Sequence, residues 1–324
     1  MTLASEFSLV NLDIGYLNEI HALITDHYIE DNQQIFRMIY SKDYLYWYFN
    51  HIPSQYIIGL IYHSKLVGLI SAMPLDMVIH NEKMSVSYVN FLCIQKKLRK
   101  MGLAKLLINE LQSRLGDTSI IYTGIHAVNA SPLCSVSSYI IPINYAKLHK
   151  IEFINEDDIG SRPIIDDNPL HLMKQNHVSD ITIKLNSHYS NYQVRPNFTG
   201  DMCHHFFLPK KNVVYSFVVV DGAHVTDFVS VTKNYMYCIE KNKVISIGHL
   251  SFYYNETLSI TELIMYLIAK LPSYGIDQLM IRDIGNNSNI DITKFCTDEM
   301  TYYYSRSMPG LCSCHAKDFY MFPF

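Results

Sequence analysis

The sequence predicts a mixed α/β protein, α+β-like in its segment order, built as two pseudo-symmetric halves that each form a mixed sheet flanked by helices. Three observations carry this. Strand-like apolar runs recur through the chain, stretches with apolar residues at helical spacing stand between them, and residues 166–324 follow in coarse order the elements of residues 1–165. The likeness between the halves is one of order and not of residue identity.

The first helix is expected at 15–27, where Leu17, Ile20, Leu23 and Ile24 mark one apolar face. A polar, acidic loop at 28–34 and an aromatic stretch at 44–49 follow. Strands are expected at 56–62, 66–72 and 85–94, the first two joined by a polar turn. The third runs through Gln95-Lys96-Lys97-Leu98-Arg99 into a helix striped by Leu103, Leu106, Leu107, Leu111 and Leu115, and a strand at 119–123 completes the half. Acids, Gly and Pro cluster at 157–169, which reads as a linker and sets a boundary near 165. The second half is expected to hold a helical region at 177–190, strands at 213–220, 225–231 and 249–254, a helix at 260–271 and a strand at 278–283.

With 324 residues, 49% hydrophobic and 17% charged, the chain can bury a large core and is not disordered. Its 26 bases against 30 acids argue against nucleic acid as a partner. No apolar run approaches the length of a membrane span and Met1–Glu6 lacks a signal-like pattern, so a cytoplasmic protein is expected. Seven dispersed cysteines fit reduced thiols. Cys203-His204-His205 and Cys312-Ser313-Cys314-His315 carry zinc-ligand types, but their spacings fit no recognised ligand pair, and no metal is expected.

Chemistry concentrates at Arg99-Lys100-Met101-Gly102-Leu103-Ala104, an R/Q-x-x-G-x-G/A pattern lying after a strand and opening an amphipathic helix. A small-residue turn there lets unpaired backbone N–H groups converge on a pyrophosphate, where the helix dipole also favours negative charge. Taken alone, the basic cluster reads equally well as a solvated start of a helix.

Together with the preceding Val89-Asn90-Phe91-Leu92-Cys93-Ile94, this segment closely resembles the signature of the N-myristoyltransferases, the glycylpeptide N-tetradecanoyltransferases of the GNAT superfamily. Leu12-Asp13-Ile14-Gly15, Tyr28-Ile29-Glu30-Asp31, Phe36-Arg37, Tyr40-Ser41, residues 65–72, Val225-Thr226-Asp227-Phe228, Ser251-Phe252-Tyr253 and Lys294-Phe295 follow in the family's order. The resemblance implies two GNAT-like halves: residues 1–165 bind acyl-CoA, and residues 166–324 complete a peptide groove and carry the terminal carboxylate. It implies transfer of a tetradecanoyl group from myristoyl-CoA, a co-substrate, to the N-terminal glycine of proteins and peptides by a monomer without a further cofactor.

The resemblance also assigns roles. The amides of Phe91 and Leu92 form an oxyanion hole, Asn90 and Thr123 surround the attacking amine, and the α-carboxylate of Phe324 takes its proton. Burial among Phe319–Phe324 would raise that carboxylate's pKa towards a useful value. Cys93, Ile94, Arg99, Lys100, Gly102, Leu103 and Ala104, with Phe91 and Leu92, contact CoA; Tyr28, Asp31, Phe36, Tyr40, Gly124, Asp298, Tyr303 and Tyr304 line the groove.

The chain departs from the family's pattern at several points. Gln33 replaces an acid, Thr297-Asp298-Glu299 stands for Gly-Asp-Gly, Lys100 and Gly102 replace a serine and an arginine, and 138–144 lacks the family's histidine. A preceding segment that covers CoA in the family is not present in this sequence, from which a lower acyl-CoA affinity is expected. Two alternatives stay open at this level: an acetyltransferase of the GNAT type, and a catalytically weak acyl-CoA- or peptide-binding module.

Overall fold

The structure, a computed structural model, describes residues 6–28, 35–124, 131–155, 165–296, 300–306 and 313–324. The first half holds β1 (Phe7–Asn11), α1 (Leu17–His27), β2 (Phe36–Ile39), α2 (Lys42–Phe49), β3 (Ile57–Tyr62), β4 (Lys65–Ile79), β5 (Glu82–Ile94), α3 (Leu103–Leu115), β6 (Ser119–Gly124), β7 (Cys134–Val136), β8 (Ser138–Pro142) and α4 (Tyr145–Lys150). The second holds β9 (His171–Leu172), α5 (Val178–His188), β10 (Val194–Pro196), α6 (Gly200–Phe207), β11 (Val214–Asp221), β12 (His224–Cys238), β13 (Lys243–Asn255), α7 (Ile260–Lys270), β14 (Gln278–Arg282), β15 (Phe295–Cys296) and β16 (Thr301–Arg306).

The strands form two mixed sheets flanked by helices. One is ordered β1-β3-β4-β5-β6-β16-β7 with β10 on β4; the other is β15-β8-β14-β13-β12-β11-β9 with β2 on β12. The repetition of order becomes a repetition of topology. β3, β4 and β5 run antiparallel, and α3 then crosses to a parallel β6; β11, β12 and β13 run antiparallel, and α7 crosses to a parallel β14. The sheets exchange strands, because β10 and β16 join the first sheet while β2 and β8 join the second.

Several elements differ from expectation for local reasons. β4 runs on past residue 72, and its Pro74 falls where β4 has lost β3, after Ser71, and has not yet met β10 at Met77, so a missing N–H is tolerated at that edge. The aromatic stretch 44–49 is helical: the Ser41 hydroxyl caps α2 by accepting from the Tyr44 N–H, and Tyr44, Leu45, Tyr48 and Phe49 are buried. Most of the expected linker, residues 157–164, lies outside the described residues. The largest apolar cluster draws on both sheets, and a second one packs α3 through Leu103, Leu107, Leu111 and Leu115 on β3 and β4.

Candidate active site

The centre of the site is a bulge in β5. Ser71 opposes Asn90 and Leu69 opposes Cys93, so Phe91 and Leu92 together face the single residue Ile70 of β4. Phe91 takes a positive φ of 55°, a conformation that L residues adopt only when surroundings enforce it. Those surroundings are aromatic: the rings of Tyr48, Tyr40, Phe49 and Tyr28 lie 5.0, 5.1, 5.3 and 5.4 Å from the buried Phe91 ring. The bulge re-aims the backbone where β5 loses its other neighbour, since parallel pairing with β6 ends at Val89–Tyr122.

Asn90 organises this corner. Its side-chain oxygen accepts from the Phe91 N–H at 2.8 Å and from the Tyr28 hydroxyl at 3.1 Å, and its carbonyl accepts from the Ser71 hydroxyl at 3.1 Å. One of the two expected oxyanion donors, the Phe91 N–H, is thus held by the Asn90 side chain in this structure. Leu92 is exposed, at 38%. Burial pushes the Cys93 thiol up to about 12, which disfavours the thiolate, and the thiol points at the Leu23 carbonyl.

The last residues insert between the sheets. Phe319 to Phe322 are buried, and the Tyr320 N–H bonds the Val194 carbonyl of β10. The Phe324 main-chain oxygen lies 3.3 Å from the Tyr88 hydroxyl, which is also 3.2 Å from Thr123 Oγ1 at the end of β6. The Phe324 ring packs on Tyr48, Tyr88 and Phe206, so this segment and the Phe91 corner share Tyr48. Burial raises the pKa values of Tyr28, Tyr40, Tyr48 and Tyr88, leaving neutral hydroxyls that can donate.

The phosphate turn is built as its sequence requires. Lys100 and Gly102 have φ of 71° and 77°, α3 begins without a side-chain cap, and its first turn contains no acid. The leading N–H groups of α3 are therefore available to an anion, with the exposed Lys97, Lys100 and Lys105 nearby in sequence. Arg99 acts as a tether, since its guanidinium donates to the His27 and Ile94 carbonyls and ties the turn to the end of α1.

Of the expected groove residues, Tyr28 and Tyr40 join the Phe91 cluster. Tyr303, opposite Thr123, faces Arg282 and Phe319, whereas its neighbour Tyr304 stacks on Tyr122 across the other face of the strand. Phe36 packs away from the cluster, against Phe153, and Gly124 ends β6 opposite Tyr302. Asp31 and Asp298 lie outside the described residues. Sequence reasoning missed Tyr48, Tyr88 and Arg282. Tyr88 carried a signal, as it stands two residues before Asn90 on a strand of period two. Among the described zinc-type residues, Cys203 lies near Thr182, His205 stacks between Trp47 and His51, and Cys314 meets Gln193.

Residues 1–137 match the N-terminal domain of myristoyl-CoA:protein N-myristoyltransferase and residues 154–304 match its C-terminal domain. A protein of Acanthamoeba polyphaga mimivirus, provisionally named a glycylpeptide N-tetradecanoyltransferase, is 46% identical over 314 residues, covering 94% of this chain and 88% of its own length. The glycylpeptide N-tetradecanoyltransferase of Plasmodium falciparum is 32% identical over 263 residues, 75% of this chain and 63% of that protein. In fold, the chain is similar to Saccharomyces cerevisiae N-myristoyltransferase crystallised with bound myristoyl-CoA, with a TM-score of 0.86 at 21% identity over 95% of this chain and 80% of the yeast chain. A GCN5-related N-acetyltransferase from Anabaena variabilis is more distant, with a TM-score of 0.53 at 12% identity over 93% of this chain and 72% of that one. By the match of both domains and the identity to these relatives, the chain belongs to the myristoyl-CoA:protein N-myristoyltransferase family.

Proposed function

We propose that this chain transfers the tetradecanoyl group of myristoyl-CoA to the N-terminal glycine amine of peptides and proteins. The observation that carries the reading is the proximity of two devices, the strained β5 bulge at Phe91–Leu92 and the Tyr88–Thr123–Phe324 contact, joined through Tyr48. The thioester carbonyl lies against the amides of Phe91 and Leu92, and each preorganised donor is worth roughly 2.7–4 kcal/mol of transition-state stabilisation. The glycine nitrogen attacks the carbonyl carbon, a new C–N bond forms, and the C–S bond breaks to release CoA. The amine's proton goes to the Phe324 carboxylate, oriented through Tyr88 and Thr123, while Asn90 holds the approach side.

In this reading residues 1–165 bind the acyl-CoA, with Cys93, Ile94 and Leu103 along the pantetheine and Lys100, Gly102 and Ala104 at the phosphates. Residues 166–324 complete the groove, which Tyr28, Asp31, Phe36, Tyr40, Gly124, Asp298, Tyr303 and Tyr304 line. The protein works as a cytoplasmic monomer without a further cofactor. The family, not the geometry, supplies the acyl length; its physical logic is that twelve more methylenes than acetyl contribute on the order of 0.8 kcal/mol each when buried.

CoA release tests this, using paired octapeptides that differ only in Gly or Ala at the first position. Glycine should react with myristoyl-CoA and alanine should not, because an added methyl displaces the nitrogen and small misplacements cost ~100-fold. Equal rates, or equal use of acetyl-CoA, would point to a different acyltransferase. Acyl-CoA binding without any release would leave a binding module.

A further inference from the structure

Arg282 ends β14 inside the site and has no carboxylate partner among the described residues. Its guanidinium donates to the Tyr303 hydroxyl and, at 3.4 Å, to the Phe322 carbonyl, and it lies 5.7 Å over the Tyr303 ring. Tyr303 stands opposite Thr123, which contacts the Tyr88 hydroxyl, so the guanidinium lies one strand away from the Tyr88–Thr123–Phe324 contact. Two strands share a second anomaly with it. His249 of β13, level with Met280 of β14, is only 8% exposed, and its Nε2 has no partner among the described residues. Burial, with Arg282 nearby, pushes the imidazole down to about 3, so it is a neutral donor and acceptor rather than a second cation.

The half-buried guanidinium has only neutral partners, the Tyr303 hydroxyl and the Phe322 carbonyl, and the imidazole level with Met280, two residues before it, keeps an unpaired nitrogen among the described residues, so the burial of both is only partly offset. Both would be satisfied by one ligand, a carboxylate, which accepts two parallel bonds from arginine and a third from the imidazole N–H. In the transferase reading the acceptor nitrogen lies at Thr123 and Phe324, and Tyr303, which faces Thr123 across the strands, holds the guanidinium, so the residues following the glycine come within its reach.

We propose that Arg282 and His249 form an anion subsite that selects a carboxylate side chain in the first few residues after the acceptor glycine. The proposal rests on the transferase reading, which it deepens. The acceptor preference it sets is for acidic residues near the amine, and it acts through binding rather than through the chemical step.

The test uses octapeptides starting with glycine and carrying Asp, Asn or Lys at positions two to four, with kcat and KM measured for each. Asp should exceed Asn by roughly 10- to 100-fold in kcat/KM, mainly through KM, with Lys lowest. The Asp-to-Asn ratio should collapse in Arg282→Leu, largely persist in Arg282→Lys, invert towards Lys in Arg282→Glu and shrink in His249→Ala. Fluorescence anisotropy of labelled versions of the same peptides, in the presence of a non-hydrolysable acyl-CoA thioether, reads the preference without turnover. Wild-type protein that treats Asp and Asn alike in binding, or an undiminished Asp preference in both Arg282→Leu and Arg282→Glu, would overturn the subsite. Absence of turnover with every peptide would instead overturn the transferase reading, and the anisotropy ratio would still decide the subsite.

Discussion

Phe91 keeps an unfavourable backbone conformation because four aromatic rings close around its side chain, so the residue that aims the amides is itself fixed by packing. Its identity and place were legible in the sequence, since the run Asn90-Phe91-Leu92 carries them. Its φ and the occupation of its N–H by Asn90 were not, because both depend on Ser71 and Tyr28 from distant segments. His249 was illegible for the same kind of reason: a histidine among strand residues announces neither burial nor a missing partner. It leads to a measurable pH effect. With its pKa near 3 in the fold and about 6.5 when unfolded, the unfolded state binds the extra proton between these values. Stability is full above pH 6.5 and falls as the pH drops through this window, by about 1.4 kcal/mol per unit. His205 is held down to about 3 by burial as well, so His249→Gln should reduce the total slope by the share of one histidine, as read from urea unfolding at pH 6 and pH 4; an unchanged slope would mean the His249 ring is protonated in the fold.

At the scale of elements, the strands and helices with clean periodicity were readable: α1, β3, α3 and α7 lie close to where spacing puts them. α6 and the helical nature of α2 were not, because aromatic residues fit either period and the deciding feature is a cap, Ser41 for α2 and Thr199 for α6. The terminal segment depends on a close approach that only glycine permits. Gly285 has φ of 54°, and a Cβ there would lie 2.8 Å from Tyr320 Cδ2 and 2.9 Å from Tyr192 Cε1. Gly285→Ala should therefore cost about 2–4 kcal/mol by adding left-handed strain to overpacking. By shifting Tyr320 it should also lower kcat more than the affinity for myristoyl-CoA, whose turn at Lys100–Gly102 lies in another element. Equilibrium unfolding, turnover and titration with acyl-CoA check the three parts; equal losses in kcat and affinity would show a general collapse instead.

For the molecule as a whole, the order of segments disclosed two similar sheets but concealed their exchange. β2, β8, β10 and β16 are short, and a short strand carries no mark of the sheet it will join. Exchange makes the sheets depend on each other, so heating should give a single cooperative transition, and saturating myristoyl-CoA should raise all of it. Two resolved calorimetric transitions, with one alone responding to ligand, would show that the sheets fold independently.

The placement of β16 between β6 and β7 also governs how the protein is made. About 180 residues separate the end of β6 from the start of β16, and at 5–20 residues per second a ribosome needs roughly 10–40 s to deliver them. During that interval β6 presents an unpaired edge containing Ile120, Ile121 and Tyr122, open to pairing with any other emerging chain. The nascent first sheet thus has a long window of exposure, in which yield depends on chaperone shielding and on the concentration of its own copies.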